Sequence, residues 1–118
     1  MEKIIVKPNG IICELTAITF KEDNVFISFC PSLDVSGYAE TEQKALKSLE
    51  LVIQETLDYC RKKKTLNKYL LQLGWVFKNK NNAISPNVLN RISNNDYLSN
   101  IIQSNHSILF NNGFKVSA

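Results

Sequence analysis

The sequence predicts an α+β fold, in which a small antiparallel sheet carries one long amphipathic helix packed on one face. Two patterns predict it. Residues 4–39 alternate β-prone segments with short turn signals, and residues 41–63 carry apolar side chains at the helical period. With 118 residues, 44% of them hydrophobic and 21% charged, the chain suits one domain with one modest core. We therefore expect the order β-β-β-α-α-β, followed by short helices and a strand-like hairpin at the C-terminus.

The first third of the chain contains four predicted strands. A short strand at Ile4–Val6 comes first, and the three strands that open the β-β-β-α-α-β order are Ile11–Phe20, Val25–Cys30 and Val35–Ala39. The segment Ile11–Phe20 has apolar residues on both faces, so we expect its outward face to be partly covered. A polar turn at Lys21–Asn24 makes a hairpin with the following strand, which ends at Pro31 because proline has no N–H for the ladder. Gly37 marks a bulge or a close approach of two backbones.

Two helices are predicted next. Thr41 caps a long helix that runs to about Lys63, and Glu42 lies favourably at its positive end. Its apolar stripe faces the sheet and consists of Ala45, Leu46, Leu49, Val52, Ile53, Leu57 and Cys60. Thr65 is a second N-cap, and Gly74 suits the left-handed residue that ends a short helix.

The last third of the chain is rich in asparagine. Eleven of the fourteen asparagines lie from Asn79 onward, so short elements are expected there, and we describe 79–118 as a C-terminal extension of a single domain, 1–118. The first predicted elements here are a strand at Trp75–Phe77 and a polar turn or flexible loop at Lys78–Asn82. A helix from Ser85-Pro86 through Val88, Leu89 and Ile92 follows, then a helical turn with Tyr97, Leu98, Ile101 and Ile102. The last predicted element is a hairpin between Ile108–Phe110 and Phe114–Val116. The hairpin depends on Asn111-Asn112-Gly113, because Asn-Gly between apolar runs favours tight turns.

Cysteine and histidine usage argues against a metal or disulfide scaffold. Cys13, Cys30 and Cys60 are odd in number, widely spaced and without a C-x-x-C pair, and His106 is the only histidine. We expect reduced, partly buried thiols in a cytoplasmic protein. The sequence also shows no secretory signal peptide and no apolar stretch of membrane-spanning length.

Candidate catalytic residues are few. No glycine-rich phosphate loop is present, and a lone histidine among Asn and Ser is a loop residue rather than a general base. A two-metal nuclease site would require Glu14 to meet Glu50 or Asp58, and no other feature supports one. The sequence therefore predicts no catalytic residue, no metal site and no cofactor.

Charge is divided unevenly along the chain. Residues 1–60 carry a net charge of −5, and residues 61–118 carry +8. The basic run Arg61, Lys62, Lys63 and Lys64 has two interpretations. These residues are either cations that complement a helix C-terminus, or salt-sensitive and sequence-blind contacts to nucleic-acid phosphates within the region 61–80. The acidic half suits a basic partner.

The segment from Phe26 to Cys60 has a recognisable order of residues: a strand that ends in Cys30-Pro31, then Leu33, Gly37 and Thr41, then Ala45 opening an amphipathic helix. This order resembles the HicB-like antitoxin family, whose pattern is a strand, CP-x-L, Gly, Thr and then EEA at the helix start. The resemblance covers about half of the chain. Lys44 stands where the family favours an acid, and the residues after Trp75 match neither DNA-binding module of the family, helix-turn-helix or ribbon-helix-helix.

The resemblance implies a truncated RNase H-like fold without the nuclease carboxylates, and hence no enzyme activity. It also implies binding to a small HicA-like toxin that cleaves mRNA, and assembly into a homo-dimer or larger homo-oligomer. Because an RNA-gripping toxin is basic, we expect Asp34, Glu40 and Glu42 to contact it. The alternatives are a stand-alone protein-interaction or oligomerisation domain, and a weak nucleic-acid binder through Arg61–Lys80.

Overall fold

The computed structural model describes residues 2–85, 95–103 and 108–118, except for the side chain of Ile102. These residues form an α+β fold with a seven-stranded sheet and three helices. In chain order the elements are β1 Lys3–Lys7, β2 Gly10–Glu22, β3 Val25–Cys30, β4 Val35–Ala39, α1 Glu42–Lys62, α2 Leu66–Gln72, β5 Val76–Asn79, β6 Asn82–Ile84, α3 Asp96–Gln103 and β7 Ile108–Ser117. The α+β class is confirmed, and the run from β2 to β5 has the order β-β-β-α-α-β.

The long strand β2 is the centre of the sheet. Its residues 10–14 pair with β1, its residues 18–22 pair with β3, and its residues 12–20 pair with β7, all antiparallel. Because residues 12–14 and 18–20 have a partner on each side, β1 and β3 must share one edge of β2 while β7 occupies the other. Strand β4 continues the sheet beyond β3, and β6 and then β5 continue it beyond β1.

Helix α1 lies across one face of this sheet, as the apolar stripe predicted. The Thr41 side chain accepts a hydrogen bond from the Lys44 N–H at 3.2 Å, which confirms the N-cap. Gly37 in β4 pairs regularly with Ser28, so it makes no bulge. A Cβ on Gly37 would lie 2.3 Å from the backbone nitrogen of Leu49, so the close-approach interpretation of this glycine is confirmed.

The apolar core lies on both faces of β2. The larger cluster fills the space between the sheet and the helices α1 and α2. A smaller cluster on the opposite face packs Leu98 and Ile101 of α3 against Ile18 and Phe20. This second cluster explains why β2 shows no clean alternation, since its C-terminal half is buried on both sides.

The predicted C-terminal hairpin is wrong. Residues 108–117 form the single strand β7, in which Asn111 and Asn112 pair with Ala17 and Thr16. Gly113, with φ +76°, takes up the register shift as a bulge. The left-handed conformation that Asn-Gly tolerates is therefore used within a strand, because pairing along most of β2 buries Phe114 and Val116 in the core.

Other local predictions need smaller corrections. Lys78–Asn82 contains the turn of the β5–β6 hairpin, which confirms the turn and not the flexible loop. Trp75, predicted as the first residue of the strand, lies just before β5 as a buried side chain. The Thr65 side chain does not cap α2, since its hydroxyl donates to the Cys60 carbonyl instead. Gly74 does end α2, with φ +90°. The predicted helix after Ser85, with Val88, Leu89 and Ile92, and the residue His106 lie outside the described residues.

A membrane-spanning segment was not expected. Within residues 2–85, 95–103 and 108–118, no helix is both long enough and apolar enough to cross a bilayer.

Candidate functional site

The three carboxylates expected to contact a partner occupy two places. Asp34 lies in the turn before β4 with φ +56°, whereas Glu40 follows β4 and Glu42 is the first residue of α1. Strand β4 separates Asp34 from Glu40 by about 20 Å, at roughly 3.3 Å per residue of extended chain. The structure thus brings Glu40 and Glu42 to one end of β4 and leaves Asp34 at the other. All three are exposed, and none forms an ion pair with a residue that the structure describes.

A cleft of about 560 Å³ opens beside Glu42, between the start of α1, the β2–β3 hairpin and β7. We call it the Glu42 cleft; its lining residues are Thr19, Phe20, Lys21, Phe26, Glu42, Ile108 and Leu109. The ammonium group of Lys21 lies 5.8 Å from the centre of the Phe26 ring. The cleft therefore has an apolar wall with one cation and one anion among its lining residues. The sequence missed it because β7 was expected to fold back on itself.

The carboxylates considered for a nuclease each have a basic partner. Glu14 lies 3.5 Å from Lys3, Glu50 lies 3.1 Å from Lys47, and Asp58 lies 3.0 Å from both Arg61 and Lys62. The hydrogen bond from Lys62, the largest cause, helps to lower the pKa of Asp58. Among the described residues, no three His, Cys, Asp or Glu side chains converge where a metal ion could bind.

Part of the basic run lines a second cleft, of about 310 Å³. We call it the basic cleft; its lining residues are Val6, Arg61, Lys64, Leu66, Asn67, Lys80 and Asn81. Arg61 comes from the last turn of α1, Lys64 from the connection to α2, and Lys80 from the turn between β5 and β6. Three cations from separate segments thus line one depression.

The remaining two residues of the basic run have other contacts. Lys62 forms an ion pair with Asp58, and the ammonium of Lys63 lies 5.9 Å from the centre of the exposed Tyr59 ring. Arg61 and Lys62 also lie in the last turn of α1, where the helix dipole favours cations. The position of Arg61 and Lys62 fits the helix-dipole interpretation, whereas phosphate contacts by the basic run remain a prediction.

A buried polar network that the sequence pattern did not predict holds the β3–β4 turn. Glu2 is only 5% exposed, and its Oε2 accepts hydrogen bonds from the Thr16 N–H at 2.7 Å and the Ser32 hydroxyl at 2.8 Å. The Ser32 carbonyl in turn accepts from the indole of Trp75 at 2.8 Å. The hydroxyl of Tyr69 donates to the neighbouring Leu33 carbonyl at 2.9 Å. These bonds tie the turn that carries Asp34 to β1, β2 and α2.

The cysteines are free thiols, as predicted. Cys13 and Cys30 are buried, and burial is the main cause that raises the pKa of Cys13 to about 12 and that of Cys30 to about 11. Protonated thiols in an apolar core are poor nucleophiles and poor metal ligands. We therefore assign these two cysteines to packing rather than to chemistry.

Models of protein families, curated proteins and solved structures all returned no match for this chain. The resemblance of residues 26–60 to the HicB-like family accordingly remains a prediction from the sequence.

Proposed function

We propose that this protein is a non-catalytic, HicB-like antitoxin that binds and neutralises a small basic HicA-like toxin. The observation that carries the proposal is the pair Glu40 and Glu42, which are exposed and without an ion pair in the described part of the chain. They lie together where β4 ends and α1 begins, and Glu42 also lines a cleft. Two neighbouring carboxylates beside an apolar cleft suit a basic protein surface.

The Glu42 cleft would supply the apolar anchor that charge alone lacks. Exposed ion pairs contribute little affinity, whereas a side chain inserted into a desolvated pocket contributes much more. We therefore propose that an apolar or arginine side chain of the toxin enters between Phe26 and Leu109, and that a neighbouring cation pairs with Glu42. As in the family it resembles, the protein would act as a homo-dimer or larger homo-oligomer.

In this proposal the three acidic residues do not contribute equally to the interface. Glu40 and Glu42 would form the centre of the interface. Asp34, at the opposite end of β4, would lie at its margin or outside it, because a small toxin contacts a limited area. The proposed partner-binding surface thus involves fewer residues than the three expected from the sequence.

The test is co-expression with the product of the adjacent reading frame, followed by co-purification and by a growth assay. We expect the wild-type chain to co-purify with that product and to relieve its toxicity. The double variant Glu40→Lys/Glu42→Lys should lose both properties. Glu55→Lys, at another exposed acid in the middle of α1, and Asp34→Lys should keep them.

Two results would overturn the proposal. One is an adjacent reading frame whose product neither binds the wild-type chain nor slows growth. The other is a double variant that rescues growth as well as the wild type does, while circular dichroism shows both proteins to be folded.

A further inference from the structure

We propose that the basic cleft binds the phosphodiester backbone of a single-stranded nucleic acid. The proposal does not depend on the antitoxin assignment, because the residues of this cleft differ from those of the Glu42 cleft. The main observation behind the proposal is that Arg61, Lys64 and Lys80 line one depression of about 310 Å³. That volume is at the lower end of the roughly 300–1,000 Å³ typical of ligand sites.

The charge balance of the cleft favours an anion. No carboxylate is among the described residues that line it. The nearby Asp58 bonds both Arg61 and Lys62, so it offsets only part of their charge. Lys64 and Lys80 form no ion pair with any residue that the structure describes. Like charges around a shared cleft repel each other, and a bound phosphate would relieve this repulsion.

The cations are carried by hydrogen-bonded turns rather than by free loops. Lys64 has φ +58°, and its N–H donates to the Arg61 carbonyl at 3.1 Å. The turn that holds Lys80 is tied to β1, because the Val6 N–H donates to the Asn81 carbonyl at 2.8 Å. The backbone at both lysines is therefore fixed before any ligand arrives, so binding orders their side chains and not the turns that carry them.

The lining of the cleft suits a nucleotide unit. Val6 and Leu66 provide apolar surface for a sugar or base, and the side-chain amides of Asn67 and Asn81 can donate to phosphate oxygens. These groups form no defined pattern of donors and acceptors that would distinguish one base from another. We accordingly expect binding that depends on salt and not on sequence.

A nucleic-acid strand explains the surroundings of the cleft better than free phosphate does. Exposed Lys68 and Lys78 lie on α2 and on β5, the two elements that continue from the cleft. A free phosphate would use only the cleft itself, whereas a strand can also follow these neighbouring cations. The net charge of +8 over residues 61–118 supports the longer ligand.

The test is fluorescence anisotropy with a labelled single-stranded RNA of mixed sequence and the full-length chain. Single strands lose about 0.7 log units of affinity per log unit of salt for each phosphate contact. The three cations of the cleft alone therefore predict about a 20-fold loss between 50 and 200 mM salt, to which contacts from Lys68 and Lys78 would add. Lys64→Glu/Lys80→Glu should bind at least 10-fold more weakly at 50 mM and lose most of this salt dependence.

The matched control is Lys44→Glu/Lys115→Glu, which changes the net charge equally at exposed sites outside the cleft. It should bind RNA within about threefold of the wild type. Equal loss in the two double variants would show a diffuse charge effect and would overturn the proposal. Displacement of the RNA by inorganic phosphate at a matched phosphate concentration would assign the cleft to free phosphate, which would also overturn it.

Discussion

Glu2 completes the edge of β2 that Thr16 would otherwise leave open. β1 pairs with residues 10–14 of β2 and β3 pairs with residues 18–22, so Thr16 lies in the gap between the two ladders. The Glu2 carboxylate accepts the Thr16 N–H there at 2.7 Å. It also binds the Ser32 hydroxyl at 2.8 Å, so one side chain links β1, β2 and the β3–β4 turn.

We predict that Glu2→Ala lowers the free energy of unfolding by about 1–3 kcal/mol, because it leaves the buried Thr16 N–H without a partner. Glu2→Gln should cost less, since its amide oxygen can accept the same two hydrogen bonds. Urea denaturation measures both. The control is Glu14→Gln, which removes only a partly exposed ion pair and should change the free energy by less than about 1 kcal/mol. Equal stability of Glu2→Ala and wild type would contradict this role.

Gly37→Ala is expected to destabilise the contact between β4 and α1. The new Cβ would lie 2.3 Å from the Leu49 nitrogen and 2.6 Å from the Ser48 carbonyl carbon. Both are backbone atoms, so the helix must shift, at a cost of about 1–3 kcal/mol. Thermal unfolding measures the effect, and the exposed neighbour Ser36→Ala should stay within about 0.5 kcal/mol of the wild type. If Gly37→Ala had the same melting temperature as the wild type, β4 and α1 would not approach as closely as described.

Gly113→Ala tests the positive φ of Gly113 at the bulge of β7. Its Cβ would meet only Glu14 Oε1 at 3.8 Å, an ordinary contact, so the strain comes from the backbone at φ +76°. We expect a loss of about 1–2 kcal/mol of stability. Gly113→Asn should lose less, because asparagine tolerates the left-handed conformation. A stabilising alanine would mean that this residue does not adopt a positive φ.

The two buried thiols should resist labelling and should make stability depend on alkaline pH. Burial raises the pKa of Cys13 to about 12 and of Cys30 to about 11, from an ordinary value of 9.0. Their contribution to stability is complete below pH 9. It falls as the pH rises toward 11–12, since the unfolded chain releases these protons first.

Thiol titration and urea denaturation at pH 8 and pH 10.5 check this prediction. In the native protein we expect only the half-buried Cys60 to react with an aromatic disulfide reagent on the timescale of minutes. Cys13→Ala/Cys30→Ala, compared with its own stability at pH 8, should lose less stability at pH 10.5 than the wild type does. Rapid reaction of all three thiols in the folded protein would count against burial of Cys13 and Cys30.

The sequence pointed to most residues of the two candidate sites, but not to the clefts that they line. The acids Glu40 and Glu42 and the bases Arg61 and Lys64 stand out as exposed charges near helix ends. Even the separation of Asp34 from Glu40 had a signal, because the predicted strand Val35–Ala39 lies between them and must hold them apart. Lys80 ends the basic region Arg61–Lys80, but nothing in the sequence placed it beside Arg61 and Lys64, since that depends on the pairing of β6 with β1.

The sequence by itself determined the elements whose signals are local. Residues within a few positions of each other decide the ends of β3 and β4, the cap at Thr41 and the buried stripe of α1. Only the tertiary structure decided that Asn111–Gly113 runs through a strand, that Glu2 is buried beside Thr16, and that Arg61, Lys64 and Lys80 share a cleft. Turn and helix preferences are worth about 1 kcal/mol or less per residue. Burying side chains from distant segments against each other contributes more free energy than such preferences do. No short stretch of the sequence shows which distant side chains will meet.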